Sequence, residues 1–151
     1  MKFLNTYKYI FFGIAFVTLS FTGHTQSCDS IVKITESYLQ PQDDNDLSFV
    51  SDGQVYRAFL DEEQTAEFRT TLYGGTRYRI AASAGAEDRY IIFNVYDQDR
   101  NLIFSNKDYE NEPYWDFQVN ATLECIVEAK LDINKKVSGC AVILMGFAKL
   151  N

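Results

Sequence analysis

From Phe49 to the end of the chain, apolar and polar residues alternate with a period of two, and turn-forming residues interrupt them roughly every 8 to 12 positions. Successive side chains on a strand point to opposite faces, so this pattern describes half-buried strands and offers no helical stripe. Strands are expected near 54–60, 64–73, 76–83, 89–97, 101–106, 114–120, 122–131 and from Cys140 to about Ala148. Between them lie Asp61-Glu62-Glu63, Gly74-Gly75, Gly85, Asp97 to Asn101, Glu110 to Pro113 and Asn134 to Gly139, residue types that favour turns. Seven or eight short antiparallel strands at this spacing imply an all-β sandwich. The scarcity of proline, limited to Pro41 and Pro113, and the wealth of Tyr, Phe, Val and Ile suit sheet more than helix.

Two strands show how the faces divide. In 64–73, Ala66, Phe68, Thr70 and Leu72 share one face while Thr65, Glu67, Arg69 and Thr71 share the other. The run from Cys140 to Ala148 is apolar on both faces, as a central strand covered from both sides would be. Upstream, Asp29 to Leu39 spaces Ile31, Ile34, Tyr38 and Leu39 three or four apart, which fits a short helix capped by Asp29. Its Ile, Val and Thr fit an extended segment equally well. Gln40 to Asp46 is polar and reads as a linker or surface loop.

The first residues have a different character. Lys2 and Lys8 precede an apolar run from Tyr9 to Phe21, and the small and polar Thr22 to Gln26 follow. This order of positive, apolar and polar regions is that of a secretory signal peptide. The run has 13 residues, whereas a spanning helix needs roughly 20, so it is expected to be cleaved, leaving no transmembrane segment in the mature chain. The organisation expected is therefore a signal peptide over 1–25, an N-terminal segment and linker over 26–48, and a sandwich domain over 49–151. The product would be secreted, or held in the periplasm or outer envelope. A lipoprotein attached through Cys28 is a poorer match, since Thr25 stands where an apolar residue is wanted.

The whole chain of 151 residues carries 14 basic and 21 acidic side chains; without Lys2 and Lys8 the count is 12 against 21, a balance of −9. A surface that acidic repels nucleic acid and anionic membranes. The only histidine, His24, lies in the segment expected to be removed. Without imidazole there is no His-based triad and no His-ligated metal site. Neither a P-loop nor Gly-x-Gly-x-x-Gly is present.

The remaining chemistry rests on carboxylates, aromatics and thiols. Asp108, Glu110, Glu112 and Asp116 could supply a glycosidase pair, which needs two carboxyls about 5 to 9 Å apart, although solvated acids are the ordinary finding in such a loop. Asp97, Asp99 and Asn101 present oxygens at alternate positions, with Asp108 where a twelfth-position calcium ligand would fall. Leu102 replaces the glycine that an EF-hand loop requires, so calcium is left as a possible ion without that motif, and a hairpin turn explains the same residues. Tyr109, Tyr114 and Trp115 could stack on a sugar or grip a peptide. Alternation places Trp115, Phe117 and Val119 on a core-facing side instead.

Three cysteines permit one disulfide and one spare thiol. If the last two strands form a hairpin with its tip near Lys135, Cys125 faces about residue 145 and Cys140 falls about five residues out of register, beyond the roughly 7 Å Cα limit. Cys28 with Cys140 is then the favoured pair.

Gly75-Thr-Arg-Tyr-Arg-Ile, Tyr90 to Asp97 followed by Asn101-Leu-Ile-Phe, and the closing Gly139 to Gly146 together resemble the bacterial pre-peptidase C-terminal domain, over roughly residues 54 to 149. That resemblance implies a jelly-roll-like sandwich of the kind appended to exported enzymes, and it matches Asp88 to the aspartate ahead of that family's first hairpin strand. This chain departs by standing without a peptidase domain, and it is as similar to stand-alone exported bacterial proteins. The expectation is an exported, non-catalytic module that binds a protein or glycan at the cell envelope. A small carboxylate enzyme acting on glycans and a calcium-stabilised accessory module are the alternatives.

Overall fold

The computed structural model describes residues 28–41, 47–85 and 89–149; the expected signal peptide, residues 42–46 of the linker and Asp88 lie outside them. Eight antiparallel strands follow the alternating runs: β1 (Val50–Asp61), β2 (Thr65–Leu72), β3 (Thr76–Ser83), β4 (Ile91–Asp97), β5 (Leu102–Ser105), β6 (Tyr114–Val119), β7 (Leu123–Leu131) and β8 (Ser138–Lys149). The expected strand 101–106 ends at Ser105, because the chain tightens into a 3-10 turn over Asn106–Tyr109, and the Ser105 hydroxyl accepts from the Lys107 N–H within it. A helix, α1 (Cys28–Ser37), resolves the ambiguity upstream. It begins one residue earlier than expected, so Asp29 lies in the first turn, where its carboxylate meets Arg57 on β1 at 3.0 Å.

The strands form two four-stranded sheets, one ordered β1-β8-β3-β6 and the other β2-β7-β4-β5. Four of the pairings are β1 with β8, β2 with β7, β3 with β6 and β4 with β5. The chain is thus one long antiparallel ribbon, bent at Asp97 to Asn101 and rolled up so that alternate segments fall in opposite sheets. Pairing of β3 with β8 and of β4 with β7 completes each sheet. This is the eight-stranded jelly roll. It corrects one expectation: β7 and β8 do not form a hairpin. The Asn134 to Gly139 turn carries the chain across from one sheet to the other, and turn residues favour both kinds of connection alike.

Between the sheets lies the main core, built around Ile80, Phe93, Val95, Val127, Ile143 and Met145. The outer face of β8 is apolar too, and Cys140, Val142 and Leu144 are buried there with Ile31 and Leu39, under α1. The strand expected to be covered on both sides is therefore covered by a sheet and by a helix. A helix of 10 residues is too short to persist alone in water, where about 12 to 15 residues are marginal, so docking gives α1 its order.

Two fasteners hold it. Cys28, at its start, is joined to Cys140. Beyond its end lies Arg79, only 1% exposed, on the outer face of β3. Its guanidinium donates from Nε and Nη2 to the two Asp116 oxygens at 2.7 and 2.9 Å, and from Nη1 to the Tyr38 carbonyl at 3.0 Å. The rings of Phe49 and Tyr114 cover it from 4.4 and 4.3 Å. Arg79 sits opposite Gly146 in the ladder, and a Cβ on that glycine would meet Phe49 Cβ at 3.0 Å and Leu39 Cδ2 at 3.2 Å. The glycine lets the segment after the helix close onto the sheet.

Asp116→Ala leaves the guanidinium buried without its counter-charge and should cost about 3 to 5 kcal/mol of unfolding free energy; replacing both residues by apolar ones should recover much of that loss. A denaturant midpoint unchanged by the single substitution would rule the network out as a fastener. Replacing both Cys28 and Cys140 by Ala opens a loop of 112 residues and should cost about 4 to 5 kcal/mol. Exchange protection of the α1 amides should then fall before that of β4 and β7.

Candidate functional site

Rolling up a ribbon leaves two open flanks, where edge strands of the two sheets face each other: β5 opposite β6, and β1 opposite β2. Sheets stack about 10 Å apart, and side chains from both must fill the space. At the first flank they do so. Phe104 lies 4.9 Å from Trp115, 5.1 Å edge-on from Phe117 and 5.7 Å from both Phe93 and Tyr109.

At the second flank the inward positions are small. Ala58 of β1 pairs with Ala141 of β8, and Ala66 of β2 pairs with Ala129 of β7. All four point into the space between the sheets, where Ala129 and Ala141 belong to the core and Ala58 and Ala66 pack against it. With side chains cut to a methyl on both sides, a slot of about 410 Å³ remains, reaching Ile143 at its floor. It is walled near the rim by Tyr56 and Phe68, whose rings stack 3.6 Å apart and within 9° of parallel. The two charged residues on its rim are each in an ion pair, Arg57 with Asp29 and Glu67 with Arg100. A cleft of similar volume elsewhere is edged by Glu62, Glu63, Lys107, Lys130 and Asp132, charges that favour water over an apolar ligand.

The three aromatics singled out in the sequence are not brought to one surface. Tyr109 and Trp115 meet, with ring centres 4.1 Å apart, and Tyr109 is 46% exposed. Trp115 faces the core, as its alternation requires. Tyr114, one residue earlier on β6, points to the opposite face, where it covers Arg79 and stacks with Tyr38 at 6.2 Å.

Most of the candidate acids are likewise engaged. Arg89, at φ 71°, donates to Glu110 at 2.9 Å and to Glu112 at 2.6 Å, and Asp116 belongs to Arg79. Asp97 serves its own turn: one carboxylate oxygen accepts from the backbone N–H groups of Asp99 and Asn101 at 2.9 and 2.8 Å, the other from the Asn101 side chain at 2.8 Å. The Asn101 amide, with these backbone donors, holds the Asp97 carboxyl below its ordinary value. The turn is the apex of the ribbon, and β5 carries the chain away from it, so Asp108, in the 3-10 turn beyond β5, is divided from Asp97, Asp99 and Asn101. Among the described residues no three His, Cys, Asp or Glu side chains are grouped to hold a metal.

The pair favoured in the sequence, Cys28 with Cys140, forms, with Cα atoms 5.6 Å apart. The hairpin register used to set Cys125 aside does not exist; Cys125 is excluded because it points into the inter-sheet core while Cys140 points outward to the helix. Burial pushes the Cys125 thiol up from 9.0 to about 11. A raised value in the folded state means that its contribution to stability persists below pH 9 and is lost as pH climbs through about 11. Cys125 should therefore resist alkylation in the native protein at neutral pH and react at once on unfolding, and the Cys125→Ala variant should lose less stability between pH 9 and 11 than the wild type.

No family model and no curated protein matches the chain. Among solved structures, it is similar to the crystal structure of Aeromonas hydrophila PliG, a periplasmic lysozyme inhibitor of g-type lysozyme, at 9% identity and a TM-score of 0.49, over 63% of this chain and 85% of that one.

Proposed function

We propose that this chain is an exported, non-catalytic module that binds an apolar group in the slot between β1 and β2. The observation that carries the reading is the slot itself. Ala58, Ala66, Ala129 and Ala141 leave space open to solvent between the two sheets, where close packing is the rule, and the lining supplies no paired acid and base. Ligand sites are commonly concave, mostly apolar and about 300 to 1,000 Å³ in volume. Export is supported by the Cys28–Cys140 bond, since structural disulfides persist in oxidising compartments, and by the charged-then-apolar pattern of the first residues. A non-enzymatic role is supported by the arginines that occupy Glu110, Glu112 and Asp116 and by the placement of the sole histidine at position 24.

A second reading, glycan binding at the opposite flank, is favoured by one feature, the exposed Tyr109 ring over Trp115. The two are separated by substitution. With a panel of straight-chain, branched and aromatic apolar compounds, members that fit should raise Tm by mass action, and Ala66→Leu, which fills the slot, should abolish the rise while Tyr109→Ala leaves it intact. A panel with no effect on the wild type overturns the slot. Sugar binding lost in Tyr109→Ala and kept in Ala66→Leu would establish the second reading instead. The mass of the chain recovered from outside the cytoplasm should correspond to a start near residue 26 with Cys28 and Cys140 oxidised.

A further inference from the structure

The walls of the slot say more than that it is apolar. On the reading that the slot is the binding site, we infer that its ligand is the saturated hydrocarbon tail of a single-chain amphiphile, such as a free fatty acid. Three features lead there.

The first is thickness. With stacked sheets about 10 Å apart and only methyl groups at the four alanine positions, the gap between the sheets admits about one layer of atoms. It lies beside Ala58 and Ala66 and is bounded on one side by the stacked rings of Tyr56 and Phe68.

The second is capacity. A methylene group displaces about as much volume as a water molecule, about 30 Å³, so 410 Å³ holds up to about a dozen carbon atoms. One aliphatic protein side chain, with three carbons beyond its Cβ at most, leaves most of that space empty. The volume therefore favours a chain over a peptide anchor.

The third is surface chemistry. Aromatic ligands gain from rings that offer an edge or a free face. Tyr56 and Phe68 turn their facing surfaces to each other at 3.6 Å, and the Tyr56 hydroxyl is turned to Gln54 at 2.7 Å. The remaining walls are mainly Ala, Val and Ile methyls, which suit polymethylene, while the two charged lining residues, Arg57 and Glu67, are each held in an ion pair at the rim. A flexible chain also adapts its bends to a floor of alternating Ala141 and Ile143, which a rigid ring does not.

The test is calorimetric titration of the folded, oxidised protein with dodecanoate below its micelle concentration, beside phosphatidylcholine vesicles and a flat aromatic of similar volume. Dodecanoate should bind at one site and raise Tm by about 3 °C or more near saturation. Ala66→Leu should weaken it at least about tenfold, in line with the 1 to 3 kcal/mol cost of overpacking, and Ala58→Leu, from the other sheet, should do the same if the first variant proves unstable. Binding of the aromatic compound, with dodecanoate inert, overturns the inference while leaving the slot as a binding site. Binding to vesicles alone overturns it in favour of a bilayer surface. Dodecanoate bound equally by both Leu variants overturns it too, by placing the chain elsewhere.

Discussion

A strand that is apolar on both faces cannot be left with one face in water, and the architecture here follows from β8. Its inner face seals the main core through Ala141, Ile143 and Met145. Its outer face would otherwise expose Cys140, Val142 and Leu144, and burial of the larger aliphatics contributes about 1.5 to 3 kcal/mol each. Helix α1 is the cover. Because it is too short to hold its own shape, it is fixed at both ends: covalently by Cys28, and electrostatically where Arg79 takes the Tyr38 carbonyl. Arg79 is a costly group to bury, and Asp116, Phe49 and Tyr114 offset that cost together. A jelly roll with one helix strapped across its back is the result.

The two flanks of the roll meet the same geometric demand with opposite choices. Where β5 faces β6, Phe104, Trp115 and Phe117 fill the gap and Tyr109 closes it from outside. Where β1 faces β2, a single aromatic pair stands beside four alanines. An interior at crystal-like packing density does not leave such space without a loss of dispersion energy, so this flank departs from the close packing seen around Phe104 at the other. Departures of this sort concentrate where proteins bind things.

Much of this architecture is legible in the residues. Period two and turn chemistry locate all eight strands, and the two-sided character of Cys140 to Ala148 announces a covered central strand. Pairing is not legible. Which strand lies beside which depends on residues far apart in the chain, and the Asn134 to Gly139 turn looks the same whether the chain doubles back within a sheet or crosses to the other. Sequence reasoning reaches the disulfide through a hairpin that is not there; what excludes Cys125 is the face on which it lies. The aromatic segment Tyr109 to Phe117 draws notice because exposed rings and acids suggest contact, yet most of its members are engaged in packing and ion pairs. The slot carries almost no local signal. An alanine in a strand reads as an ordinary filler, and only the register that sets Ala58 beside Ala141 and Ala66 beside Ala129 turns four small residues into a space.

The bond between Cys28 and Cys140 also ties the first element of the described residues to the last. Cys125 stands nearer than Cys140 to Cys28 along the chain, and only the fold keeps the two apart. β7, which carries Cys125, is flanked by β2 and β4 in the second sheet, and there the Cys125 thiol is buried in the core, protonated and inert at neutral pH. Cys140 meets Cys28 only where β8 lies between β1 and β3 with α1 across its outer face. The oxidised pair is therefore a covalent record of the folded ribbon, and a mispaired chain would be the signature of one that had not reached it.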